Sequence, residues 1–321
     1  MKKASTYLDK VHSSGASCDI AVIIPTHNRK DLLERTIDSV IACNCPQDLS
    51  LRMLVIENGG QFGVEDLISA KVSWLPIEYR YLENGNKSAA LNSVLDDLDD
   101  SLVIFLDDDV RVCSDMLIHY AEALAHNPEG YFFGGPMLID YDTPPPEWLI
   151  DYLPVSVKGW CPETYVPAHP GVLWFMGCNW AAFVRDIKRA GGFDPKLGPG
   201  SPGTGQETAM QQALVATGVK PVYVPGAVVW HYVPESRCSV EWAIERAFKN
   251  GFSDGLTKHD ARQSQSVFGV PRWMIRQRIE LTFRSLFKPI FGNKRESFEA
   301  RRSLKYLDGV IKGIFTAKKS T

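Results

Sequence analysis

Val103-Ile104-Phe105-Leu106-Asp107-Asp108-Asp109-Val110 is the stretch on which the reading of this 321-residue chain turns. An apolar run of β type ends abruptly in three consecutive carboxylates. Adjacent carboxylates repel and are costly to desolvate, so a fold gains nothing by packing them together. They become useful if they hold a hard cation through oxygen ligands, with phosphate oxygens completing its shell. On an extended chain Asp107 and Asp109 point one way and Asp108 the other. That makes an Asp-x-Asp pair at the carboxyl end of a strand, where open α/β sheets bind ligands. The competing reading is a solvated acidic turn, and spacing alone does not separate the two.

The preceding sequence repeats the same grammar. Ile20–Ile24 is a continuous apolar run, as expected of a strand buried on both faces of a parallel sheet. Pro25-Thr26-His27-Asn28 follows as a turn, with Asn28 placed to cap a helix whose apolar positions are Leu32, Leu33, Thr36, Ile37, Val40 and Ile41. A strand over Leu51–Ile56 ends at Glu57-Asn58-Gly59-Gly60, and one near Ile77–Leu82 ends at Glu83-Asn84-Gly85-Asn86. A helix over about 87–98 then leads into the strand before the triple Asp. Alternation of strand, polar turn and helix predicts a doubly wound, mostly parallel sheet. The polar strand ends, Thr26/Asn28, Glu57/Asn58, Asn84/Asn86 and Asp107–Asp109, should then converge on one crevice. Turns are polar in any case, but that explains each turn better than it explains their common placement.

Beyond Cys113 the pattern predicts a helix over about 114–126, a strand over Tyr131–Leu138 and a looser region, Asp140–Gly171, holding Trp148 and Trp160. Exposed aromatics stack on sugar rings, although Trp more often simply packs. Gly198-Pro199-Gly200-Ser201-Pro202-Gly203 matches G-x-G-x-x-G in form only. It follows no clear strand of a βαβ unit, and its prolines lack the amide donors a phosphate needs. It reads as a flexible loop that closes over a substrate. A helix over Gln206–Thr217 puts Glu207 in its first turn, which the helix dipole favours on its own and which would also suit a general base. Val219–Val224 and Val228–Trp230 are strand candidates. His231 closes the second, either as a structural histidine or as a metal ligand beside the carboxylates.

Composition narrows the classes. Hydrophobic content of 45% and charged content of 23% are those of a globular protein. The net charge of −3 hides an asymmetry: residues 271–321 hold 13 Lys and Arg against 4 Asp and Glu, a net of +9, which leaves −12 on the first 270. Seven cysteines without a C-x-x-C pair, and no signal-like N-terminus, predict reduced thiols and a cytoplasmic protein. No apolar run is long enough to predict a spanning helix. In the basic tail Trp273, Ile275, Ile279, Phe283, Leu286, Phe287, Ile290 and Phe291 interleave with Arg272, Arg276, Arg278, Arg284 and Lys288. This suits an amphipathic helix on an anionic membrane through residues 271–315, with a second such segment over about 301–315. A helical hairpin with a solvated basic face is the alternative. Nucleic acid is not an expected partner, because the cations share their segment with large apolar side chains and no nucleic-acid motif is present.

Taken in order, Val22-Ile23-Ile24-Pro25-Thr26-His27-Asn28-Arg29, Ile56-Glu57-Asn58-Gly59, Asn86-Lys87-Ser88-Ala89-Ala90-Leu91-Asn92, Phe105–Asp109, Gly191-Gly192-Phe193-Asp194, Gly205-Gln206-Glu207 and Pro225–His231 resemble family 2 glycosyltransferases of the GT-A fold, most of all bacterial members that build cell-surface polysaccharides. The resemblance covers roughly residues 19–255. It implies a nucleotide-sugar donor, with UDP the expected nucleotide, Mg²⁺ or Mn²⁺, and a glycan or lipid-linked saccharide acceptor, with transfer by inversion. It puts Pro25, Thr26, Asn28, Arg29, Glu57, Asn58, Asn84 and Lys87 around the nucleotide and its phosphates. It puts Asp107 and Asp108 on ribose or sugar hydroxyls, Asp109 and His231 on the metal, and Glu207 at the acceptor as base. It implies a loose segment 1–18, a nucleotide-binding half 19–110, an acceptor-binding half 111–255 and a basic helical extension 256–321. The enzyme would be cytoplasmic or peripheral on the inner face of the cytoplasmic membrane. The chain departs from the family pattern at Glu57, Asn86, Leu91, Gln206 and Glu207, where Asp, Gly, Arg, Glu and Asp are usual, so its base is one methylene longer. Two alternatives are a sugar-phosphate nucleotidyltransferase, which should carry a Gly-rich phosphate loop after the first strand, and a carbohydrate-binding pseudoenzyme at the membrane, which should have lost its metal and base carboxylates.

Overall fold

The computed structural model describes residues 20–46, 49–98, 101–162, 173–201, 203–257, 266–267, 270–291 and 293–319. The segment 1–18 lies outside them. In chain order the elements are β1 (Ile20–Thr26), α1 (Lys30–Ile41), β2 (Leu51–Asn58), α2 (Val64–Ser69), β3 (Ile77–Leu82), α3 (Lys87–Asn92), β4 (Leu102–Phe105), β5 (Val110–Val112), α4 (Met116–His126), β6 (Tyr131–Gly134), β7 (Met137–Tyr141), α5 (Glu147–Ile150), α6 (Val155–Lys158), β8 (Trp180–Phe183), α7 (Val184–Arg189), α8 (Gln206–Ala216), β9 (Lys220–Tyr223), β10 (Val229–Val233), α9 (Val240–Thr257), β11 (Ser266–Val267), β12 (Val270–Pro271), α10 (Arg272–Phe291) and α11 (Lys294–Lys319). Two compact units result. The first comprises the chain up to Asp140 with Lys158–Tyr232, and the second Tyr141–Val157 with the chain from Val233.

The first unit is built on a seven-stranded sheet in the order β3-β2-β1-β4-β8-β6-β9. β1 pairs in parallel with β2 and β4, and β2 with β3, while β8 runs antiparallel to both β4 and β6. Ile20–Ile24 are fully buried, as their unbroken apolar run requires. A smaller sheet, β5-β10-β7, carries His231 opposite Val110. The strand expected over Tyr131–Leu138 is two strands in different sheets. Pro136 has no amide to donate, and a Cβ at Gly135 would lie 2.0 Å from the Ala227 carbonyl, so the chain can only turn here.

Other boundaries differ for local reasons. The helix expected over 87–98 stops at Asn92, whose side chain binds both Phe193 N–H and Phe193 C=O; a separate 3₁₀ turn spans Leu95–Leu98. Asn28 does not cap α1. It sits in the left-handed region at φ 51°, which Asn tolerates better than most residues, and Arg29 occupies the cap position without a side-chain cap bond. β2 runs on through Glu57 and Asn58, so both are buried strand residues. Trp160 is core, set edge-on against Phe175 at 5.8 Å, and in the second unit Trp148 packs edge-on against Phe298 at 5.4 Å. The six cysteines among the described residues are free thiols.

In the second unit α9 and α11 meet backbone to backbone. A Cβ on Gly251, Gly255, Gly309 or Gly313 would fall 2.0–2.3 Å from a carbonyl oxygen of the facing helix. The spacing Gly251-x-x-x-Gly255 and Gly309-x-x-x-Gly313 puts each pair on one helical face. Leu307, Val310 and Ile314 are buried beside this seam, so the segment 301–315 spends its apolar face inside the unit. Among the described residues no helix is long and apolar enough to cross a membrane. Gly309→Val should gain helix propensity yet force the two helices apart. Overpacking outweighs the gain, and a loss of about 2 kcal/mol in urea denaturation is the expected outcome.

Candidate functional site

The strand ends converge because glycines let their loops touch. A Cβ on Gly59, at φ 74°, would lie 2.6 Å from Gly85 Cα. One on Gly200, at φ 84°, would lie 1.8 Å from the Gly85 carbonyl. The loops after β2 and β3 and the Gly/Pro segment are therefore in backbone contact at positions only glycine can occupy.

This contact corrects the reading of 198–203 as a flexible lid. Lys87 N–H donates to Pro199 C=O at 3.0 Å, Gly198 N–H to Gly203 C=O at 3.0 Å, and Ser88 Oγ to Leu197 C=O at 2.8 Å. The segment is fastened to the start of α3 (Pro202 is outside the described residues). Asn86 explains its own departure from the family pattern. Its Oδ1 accepts from Ala89 N–H and caps α3, while its Nδ2 donates to Pro195 C=O, each at 2.8 Å. Gln206 is equally legible. It is buried and takes the Ser88 hydroxyl at 3.3 Å, where a neutral amide costs less than a carboxylate.

The three aspartates do not alternate about an extended chain, since β4 ends at Phe105 and Asp108 and Asp109 occupy a turn. Asp108 and Asp109 share one cation: Arg29 Nη1 lies 3.0 Å from Asp108 Oδ1 and 2.8 Å from Asp109 Oδ2. Asp108 Oδ2 also accepts from the Thr26 hydroxyl at 2.8 Å. Burial pushes Asp108 upward, Arg29 pulls it back, Asp109 pushes again, and the carboxyl rests above its usual range. Asp107 turns instead to the Lys87 ammonium, with which it forms an ion pair. Burial alone would lower Lys87, but Asp107 outweighs it, with Glu207 contributing, and the ammonium is held above its ordinary range. Glu207 joins this group from α8. Its side chain lies over Gly177, where a Cβ would sit 3.2 Å from Glu207 Cγ. Beside them burial drives the Cys178 thiol well up, with Asp107 and Asp109 adding to the effect, so it stays protonated.

Asp109 Oδ1 lies 3.4 Å from His231 Nε2, and both residues are buried. The His231 Nδ1 is buried without a hydrogen-bond partner. Among the described residues no group of three or more His, Cys, Asp or Glu converges to hold an ion unaided. One carboxylate and one imidazole form a partial shell, which suits a divalent cation that arrives with phosphate oxygens and water.

The remaining expected residues separate into two kinds. Pro25 and Thr26 close β1 in full burial, and Asn84 is an exposed loop residue. Asn58 Nδ2 donates to Thr26 C=O at 2.8 Å, and its own carbonyl meets His27 Nδ1 at 2.6 Å. Glu57 is fully buried and accepts from Phe62 N–H at 2.6 Å and from the Tyr79 hydroxyl at 2.7 Å. It thus ties the 59–62 loop to β3. Sequence reasoning missed three buried polar supports. Tyr120 donates to Asn179, whose amide nitrogen ties the Pro136 and Ala227 carbonyls. Gln211 clamps the Phe175 backbone at both ends, at 2.8 and 3.1 Å. A lone Asn, Tyr or Gln carries no spacing signal that would have revealed them.

The sequence model of glycosyl transferase family 2 matches residues 21–189, more than half of the chain. The chain belongs to this family. It is a glycosyltransferase, and the nucleotidyltransferase alternative falls. The succinoglycan biosynthesis protein ExoM of Rhizobium meliloti (strain 1021) is 29% identical over 259 residues, covering 77% of this chain and 79% of ExoM. Among solved structures, the mannosyltransferase PcManGT of Pyrobaculum calidifontis, in complex with GDP-Man and Mn²⁺, matches with a TM-score of 0.54 at 16% identity, over 100% of this chain and 96% of that one. TarS residues 1–349 of S. aureus match with a TM-score of 0.51 at 11% identity, over 94% and 92%. At these identities the likeness is one of fold, and the fold is GT-A. Within this family frame Asn86 is the distinctive support of the site. Asn86→Ala removes the α3 cap and the tie to Pro195 together, and should lower stability by about 1–2 kcal/mol in urea denaturation.

Proposed function

We propose that this glycosyltransferase moves a sugar, with inversion, from a nucleoside diphosphate donor to a hydroxyl of a glycan or lipid-linked acceptor, in the assembly of a cell-surface polysaccharide. One observation carries the reading. Glu207, Lys87 and the three aspartates form a single electrostatic group at the carboxyl ends of the strands, with no activated protein nucleophile among them. The biosynthetic role in ExoM's name supports polysaccharide assembly, and the GDP-Man and Mn²⁺ held by PcManGT support a nucleotide sugar and a divalent cation. A UDP-sugar remains the donor expected from the sequence. In this reading residues 19–110 carry the nucleotide and residues 111–255 the acceptor, at the cytoplasmic side of the membrane.

The roles follow from chemistry. Thr26, Asn28, Arg29, Glu57, Asn58 and Asn84 line the nucleotide, with Pro25 shaping the turn. Asp107 and Asp108 take ribose or sugar hydroxyls. Asp109 and His231 hold Mg²⁺ or Mn²⁺, which when bound offsets the charge developing on the departing diphosphate. Arg29 bridges Asp108 and Asp109 and offsets part of their charge, so the two carboxylates are kept together for a cation. Lys87 fixes Asp107 and faces the phosphates. Glu207 removes the acceptor proton, and with Cys178 held as a thiol a single displacement is the simplest course.

Glu207→Gln should keep donor affinity and lose about a thousandfold in transfer rate, read by single-turnover transfer beside donor titration. Asp109→Ala should abolish donor binding that depends on Mn²⁺; unchanged affinity would refute the metal assignment. Thermal unfolding with UDP, GDP, dTDP and CMP, each with Mn²⁺ or EDTA, should single out one nucleotide. Its stabilisation, about 2.7 kcal/mol at a hundred times Kd, should vanish with EDTA. A transition that no nucleotide shifts would favour a donor site that forms only with acceptor or membrane present, or a pseudoenzyme.

A further inference from the structure

The two basic segments of the tail have different fates in the structure. α11 is used up inside the second unit, but α10 is covered on one side only. Met274 and Leu281 are buried towards α11, and Arg278 pairs with Asp308 of α11 at 2.7 Å. The opposite side of α10 carries Ile279, Phe283, Leu286 and Phe287, which are 54%, 57%, 62% and 53% exposed. These are large apolar side chains left in water over two helical turns, on a helix that has a perfectly good buried face elsewhere. The Phe283 and Phe287 rings lie parallel with centroids 6.4 Å apart, so they form one continuous apolar strip. Positions 272, 276, 279, 283, 286 and 287 follow the spacing of a single helical face. The exposed Arg272 and Arg276 therefore continue the strip towards the amino end of the helix. The glutamate nearest this face, Glu280, is engaged by Arg284 at 3.5 Å.

We propose that this outer face of α10 is a docking surface for an anionic lipid bilayer, lying in the headgroup plane with the aromatic strip inserted. Charge selects the occupant. Residues 271–321 carry a net of +9, and a second copy meeting this face through its own α10 would bring the same charge to the interface. An anionic surface gains from the cations and from the strip together. No described helix could span the bilayer, so attachment is to its surface. The inference is independent of the catalytic assignments above.

The test is co-sedimentation of the full chain with vesicles of phosphatidylcholine alone or mixed with phosphatidylglycerol, at low and high salt. The expected result is binding to the anionic vesicles at least tenfold above binding to the neutral ones, and weakened by salt. Replacing Ile279, Phe283, Leu286 and Phe287 together by Ser should remove that binding while leaving the thermal transition in place, because these side chains are exposed. The milder Arg272→Gln and Arg276→Gln variants should each weaken binding to anionic vesicles about fivefold and leave neutral vesicles unaffected. Wild-type protein that ignores both vesicle types, or a serine variant that binds as the wild type does, would overturn the proposal. So would light scattering that finds a wild-type dimer which the serine variant breaks, since a second copy would then own the face.

Discussion

Three adjacent negative charges at the end of β4 are the constraint around which the first unit is arranged. Left unpaired and partly desolvated, they would repel one another and raise the free energy of the folded state. The fold answers by bringing cations from two other strand ends. Arg29, just after β1, spans Asp108 and Asp109, and Lys87, just after β3, takes Asp107. Each cation is anchored by backbone on its own side. Arg29 stands at the start of α1, and the Lys87 amide is fixed to Pro199. The carboxylates thus bring neighbouring strand ends together, and the pairing holds them adjacent at the carboxyl edge of the sheet.

That electrostatic arrangement is possible only because the loops can approach closely. Gly59 and Gly200 approach Gly85 at separations that exclude a β-carbon on either of them. A larger residue at Gly59 or Gly200 would separate the β2 loop, the β3 loop and the Gly/Pro segment. Behind them, Asn86, Asn92, Asn179 and Gln211 tie loops to distant backbone groups. Buried amides used this way convert otherwise orphaned backbone donors and acceptors into fixed positions. The charged group therefore rests on neutral polar ties that do no chemistry themselves.

The second unit applies glycine differently. In α9 and α11 it removes side-chain bulk from a seam so that two helices pack at backbone distance. That close seam commits the apolar face of α11 and leaves α10 held along one side. An unfilled apolar face on a cationic helix is the consequence of this division of labour between neighbouring segments.

The sequence by itself determined the parallel core of the sheet, the catalytic family and the types of residue at the strand ends. Unbroken apolar runs report burial on both faces, and the order of short motifs reports descent. Ile20–Ile24 was legible for that reason, and it lies fully buried in β1. Tertiary structure alone decided what each side chain faces. Asn28 looked like a cap, but its left-handed backbone leaves Arg29 at the helix start. The Gly/Pro segment looked loose, but the Lys87 amide fastens it through the Pro199 carbonyl. Trp160 is a core residue because Phe175 and Tyr223 come to it from elsewhere in the chain. Local pattern encodes periodicity and burial, which depend on near neighbours. Partner choice depends on residues 50 to 120 positions away, as in Arg29 with Asp108 or Asn86 with Pro195, and no periodicity carries that information.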